Sequence, residues 1–131
     1  MPHPKQSEVL LAKAEQDEYL LDKILNDPNA PWEIFGFHAQ QAAEKLLKAA
    51  LAGRGVDYPP THRLKDLLKL IQAQGLGLPA CSELIRQLTP FAVEYRYDLL
   101  PPELEEPLDK GQVRQALREL RAWVENLAKA K

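Results

Sequence analysis

Asp17, His38, Lys45 and Arg96 are the side chains of this sequence best suited to chemistry. A carboxylate accepts hydrogen bonds, an imidazole moves a proton near neutral pH, and lysine and arginine hold phosphate or carboxylate. Lining one cleft, they would bind an anionic ligand. Arg96 stands between Tyr95 and Tyr97 in EYRYD. A guanidinium there can bond a phosphate bidentately while a tyrosine stacks on a flat ring, or it can tie down the acidic segment that follows. Glu44 and Lys48 are spaced i, i+4 with the acid first, the favourable order for a helical pair. Arg114, Arg118 and Arg121 recur at helical spacing. Such a row forms a solvated face, or it contacts phosphates or a partner's acidic loop.

Other chemistries are poorly supplied. Three histidines and one cysteine, with no ligand-like spacing, make no metal cluster, so neither metal nor cofactor is expected. The GRG and GLG stretches lack the strand–loop–helix context of a phosphate loop, and no serine elbow is present. A net charge of −2 gives no long-range attraction to nucleic acid, so such binding needs a local patch. Cys81 has no disulfide partner in the chain, which fits a reducing compartment. With no leader-like or membrane-length apolar run, a cytoplasmic location is expected.

The elements that must position these residues read as helices throughout, within a single domain over 1–131. The first is predicted from Ser7, as N-cap, to Asn26, where DPNAPW interrupts. A second spans Pro31 to Ala52 and stops at GRG. Thr61 caps a shorter third helix ending near Ala73. A fourth is expected from Pro79 to Tyr97, with a kink or break at Pro90. The acidic, proline-bearing Asp98–Asp109 loop is longer than most helix connections, a length that often carries function. A fifth helix runs from Lys110 to the C-terminus. Four long helices and one short one imply an all-α, up-and-down antiparallel bundle.

On a helical wheel, Phe35, Ala39, Ala42, Ala43, Leu46 and Ala50 share the core face of the second helix. His38 and Lys45 fall at its edge. Phe37, Gln41, Glu44 and Lys48 fall opposite. Phe37 there is either an isolated surface apolar residue or part of a dimer interface formed with Gln41, Glu44 and Lys48. His38 is either a boundary histidine bonded to a neighbour or a site residue. In the first helix, Leu10, Ala14, Leu21, Ile24 and Leu25 form the core stripe and Asp17 falls inside it. A buried carboxylate needs a partner, and His38, Lys45 and Arg96 are the candidates. Val113, Leu117, Leu120, Val124 and Leu127 make the seam of the last helix.

The run FHAQQAAEKLLKAAL, a short glycine-containing loop and then THRLKDLL together resemble the HEPN domain (higher eukaryotes and prokaryotes nucleotide-binding). The resemblance extends to LAKAEQDEYLL, where Asp17 matches a family acid, and to EYRYD, which lacks the proline of the family's Arg-Tyr-Pro-Asp-like segment. It implies a helical bundle that commonly dimerises. Small prokaryotic members are often encoded beside a minimal nucleotidyltransferase, in several cases as a toxin–antitoxin pair. Many members are metal-independent ribonucleases whose motif is Arg, four to six intervening residues, then His. That motif is missing here: Arg86 and Arg96 have no downstream histidine, and seven residues separate Arg54 from His62. Glu44 and Lys48 match a Glu-x-x-x-Lys pattern of the family. The expectation is therefore a non-enzymatic nucleotide- or partner-binding module. The alternatives are a divergent ribonuclease using His38 or His62 with Arg96, and a structural dimer without ligand.

Overall fold

The computed structural model describes residues 4–92 and 108–129. Their elements are α1 (Pro4–Ile24), α2 (Trp32–Gly53), α3 (Leu64–Ala73), α4 (Ser82–Arg86), a 3-10 turn (Thr89–Phe91) and α5 (Lys110–Lys129). The protein is an all-helical bundle. Three helices are long, and α2 is the central one: α1 packs along it, and α5 and α3 flank it. None of the described helices is long and apolar enough to cross a membrane.

The alanines of α2 explain its central place. Ala39, Ala42, Ala43, Ala49 and Ala50 are all buried and bring neighbouring backbones close, while Phe35, Leu46, Leu47 and Leu51 supply the bulk. Burying one such leucine contributes about 1.5–3 kcal/mol. From α1 come Ala14 and Leu21, fully buried, with Leu10, Ile24 and Leu25 packed at the margin. The α5 seam buries Val113, Leu117, Leu120 and Val124. Trp32, Phe35 and Phe91 close the N-terminal end of α2, with Trp32 stacked on Phe91 at 5.5 Å and edge-on to Phe35 at 5.4 Å. Gly36 makes this possible, because a methyl group there would overlap the Phe91 ring.

Three boundaries depart from the sequence reading, each for a local reason. Ser7 does not cap α1 but lies inside it, and its hydroxyl donates to the Ala49 carbonyl of α2 at 2.9 Å. Thr61 accepts from the Arg63 amide two residues on, so α3 begins only at Leu64, whose N–H is received by Thr89 Oγ1. The expected fourth long helix is the five-residue α4 followed by the 3-10 turn. Pro90 explains the stop at Arg86: a proline ring clashes with the carbonyl four residues earlier and offers no N–H. Pro79 lies in the turn before α4, where its carbonyl accepts from the Ser82 amide and hydroxyl.

Candidate functional site

Asp17 faces α2 from α1 and is 8 % exposed. His38 and Lys45 are seven residues apart, two helical turns, so both reach one carboxylate from the same side. Asp17 Oδ1 lies 2.9 Å from His38 Nδ1 and Oδ2 accepts from Lys45 Nζ at 2.6 Å. An isolated buried carboxylate would cost several kcal/mol, and these two donors offset that cost. Because Nδ1 is engaged, Nε2 is the imidazole nitrogen left for a ligand. The His38 and Lys45 side chains are each about a quarter exposed, at 28 % and 25 %.

A second cluster repeats this arrangement on the other flank of α2. Glu44 Oε1 lies 2.9 Å from His62 Nδ1, and Oε2 accepts from Lys48 Nζ at 2.9 Å. Gln40, fully buried, donates to Glu44 Oε1 at 3.1 Å and to the His62 carbonyl at 3.0 Å, which fixes both the imidazole and its backbone. Gln41 in turn donates to Gln40 Oε1 at 2.8 Å. Burial pushes the Glu44 carboxyl towards its neutral form, but the bonds from His62, Lys48 and Gln40 outweigh it and hold the group below its ordinary value of 4.5. Lys48 also lies over the Tyr58 ring, and Tyr58 receives Gln6 from the start of α1.

The wheel reading is thus corrected at Glu44. It is buried, not part of a polar outer face, and its oxygens are used within the chain. The reason is that α2 is enclosed on nearly all sides: thirteen of its 22 residues are buried. Phe37 and Gln41 are half-buried, and the Phe37 ring meets that of His38 edge-on at 5.1 Å. The sequence reading pairs neither Gln40 nor His62 with Glu44, which the structure brings together. The i−4 and i+4 spacing of Gln40 and Lys48 about Glu44 was the available signal. Tyr95, Arg96 and Tyr97 lie outside the described residues.

The arginine row of α5 belongs to different chemistry. Arg114 is buried and grips Asp22 through two nitrogens, at 2.6 and 3.2 Å, and Glu18 at 3.3 Å. Arg121 reaches Glu18 Oε2 at 2.5 Å and the Leu11 carbonyl at 3.0 Å. The row therefore ties α5 to α1; among its members Arg118 is the half-exposed one. Asp22 is held below its usual range chiefly by the hydrogen bonds from Arg114. Among the described residues no buried side-chain nitrogen or oxygen lacks a partner, and no group of acids, histidines and cysteine is arranged to hold a metal.

No curated protein and no solved structure matches the chain. The family model of the HEPN domain matches residues 7–127. That span takes in most of α1, all of α2 and both carboxylate–histidine–lysine clusters. The chain belongs to the HEPN domain family, and its fold is accordingly that of a nucleotide-binding or ribonuclease-type module.

Proposed function

We propose that the protein is a nucleotide-binding HEPN module that holds phosphate on the half-exposed side of α2. The observation that carries this is the paired Asp17–His38–Lys45 and Glu44–His62–Lys48 clusters. In each, the carboxylate orients an imidazole through Nδ1 and steadies an ammonium that still has protons to give. A bound phosphate accepts charge-assisted bonds from the two lysines. Arg96, with Tyr95 or Tyr97, belongs to this reading as a further phosphate or base contact. A homodimer and a separate minimal nucleotidyltransferase complete it as partners, in the manner of a toxin–antitoxin pair.

Isothermal titration with nucleoside diphosphates tests the binding, with Lys45→Ala and Lys48→Ala as variants. Affinity that falls at least tenfold in either variant supports the reading. A wild-type protein that binds none at millimolar concentration overturns it. Native mass spectrometry after co-expression with the neighbouring gene tests the partners: a mixed complex supports them, and a homodimer or monomer alone removes the nucleotidyltransferase from the account.

One observation favours a second reading, a divergent ribonuclease. Both imidazoles are held by a carboxylate, the arrangement that prepares a histidine as general base. RNA cleavage lost on His38→Ala or His62→Ala would favour it over binding alone.

A further inference from the structure

His38, Gln41, Lys45 and Lys48 follow one another along α2 at steps of three and four residues, so they stand on one side of the helix, and each is partly exposed. This open stripe is closed at one end. Ala52, the next residue on the same row, is 1 % exposed. Beside Lys48, Gln6 of α1 meets Tyr58 of the 54–63 connection, and its Nε2 donates to the Tyr58 hydroxyl oxygen at 3.0 Å. The two side chains form a strut between the flanks of α2.

Tyr58 has more to offer than this strut. Its oxygen accepts from Gln6, so its own O–H is left to donate, and among the described residues no acceptor takes it. Lys48 Nζ stands 5.5 Å from the centre of the same ring and bonds Glu44 with one of its three protons. Burial, opposed by the Gln6 bond and reinforced by the Glu44 charge, holds the hydroxyl above its ordinary 10.0, so it keeps its proton at neutral pH. A neutral donor thus stands beside an ammonium. Two oxygens of one phosphate, each about 2.7–2.9 Å from its donor, span such a pair.

We infer that Tyr58 is a further phosphate-binding residue, and that the closed end of the stripe makes this a site for a terminal phosphate. The inference deepens the phosphate-binding reading above and rests on it. A phosphate within a chain must continue in two directions. Past Lys48 and Tyr58 the strut and the buried row at Ala52 leave no path for a second substituent. A free nucleotide fits with its outer phosphate at Lys48 and Tyr58, its inner phosphate at Lys45, three residues back, and its nucleoside towards His38. A diphosphate esterified at both ends does not.

The test is isothermal titration of the full chain with ADP and with ADP-ribose, repeated with Tyr58→Phe. The two ligands share adenosine and both phosphates and differ in whether the outer phosphate is esterified. ADP should bind at least about tenfold tighter than ADP-ribose, and Tyr58→Phe should weaken ADP at least about fivefold while ADP-ribose stays within about twofold. The phenyl ring is kept, so the variant loses the hydroxyl alone. In the parent protein, the Lys48 and Tyr58 amide resonances should shift on addition of ADP and stay in place with ADP-ribose. Equal affinity for the two ligands, or an ADP affinity that Tyr58→Phe does not move, overturns the inference and leaves phosphate binding standing. No binding of either ligand at millimolar concentration overturns both.

Discussion

Asp17 and Glu18 are neighbours on α1, both are buried, and they serve different ends. Asp17 turns to α2 and is shared by a histidine and a lysine that remain partly open to solvent. Glu18 turns to α5 and is enclosed by Arg114 and Arg121, whose guanidiniums are spent on Glu18, Asp22 and the Leu11 carbonyl. Two faces of one helix thus carry two kinds of polar cluster. One is saturated with permanent charges and fastens α5 to α1. The other is satisfied on the carboxylate side only, and its histidine and lysine retain groups that a ligand can engage. Spare hydrogen-bonding capacity at the surface, more than charge, distinguishes a candidate site from a structural tie.

The sharpest way to break this comparison is Arg114→Ala. It removes the bonds to Glu18 Oε1 and to the half-exposed Asp22 while Arg121 still holds Glu18 Oε2, and losing a charge-assisted tie of this kind costs about 1.5–3 kcal/mol. Urea unfolding measures it; a loss below about 1 kcal/mol would show that the α1–α5 network is not a tie. Gly36→Ala comes next, with an expected loss of about 1–3 kcal/mol from overpacking against Phe91, read from the same curves.

Glu44→Gln sharpens the other side. It removes the charge that holds His62 and Lys48, with an expected loss of about 1–3 kcal/mol. The pH dependence gives a second handle. The Glu44 carboxyl titrates lower in the folded chain than its ordinary 4.5. Its contribution is therefore present above that value and is lost as the pH falls through the lower folded value. The stability of Glu44→Gln should fall less steeply below pH 4.5 than that of the parent protein, by thermal unfolding across acid buffers. A parallel decline in the two proteins would mean that Glu44 is not the group responsible.

The smallest effect is expected at Arg118, whose side chain is 51 % exposed and reaches Asp22 at 3.5 Å. Arg118→Ala should change stability by less than about 0.5 kcal/mol, in contrast to Arg114 one turn earlier.

Much of this was legible from residue order. Helical periodicity, the alanine-rich stripe of α2, the burial of Asp17 within an apolar stripe and the break near Pro90 are local properties. They depend on 3.6-residue spacing, on backbone chemistry and on the cost of burying a charge. They required no knowledge of which helix meets which. Even the partners of Asp17 could be named, because His38 and Lys45 fall at the edge of the core stripe of α2.

Packing settled the rest. Whether Glu44 faces solvent or protein depends on what covers the far flank of α2, and His62, which covers it, lies eighteen residues further along the chain. The partners of the α5 arginines lie more than ninety residues away on α1. Periodicity assigns a residue to a side of its own helix. The identity of the group waiting on that side is a long-range fact, set by how the buried apolar faces align the helices, and a carboxylate's role follows from it.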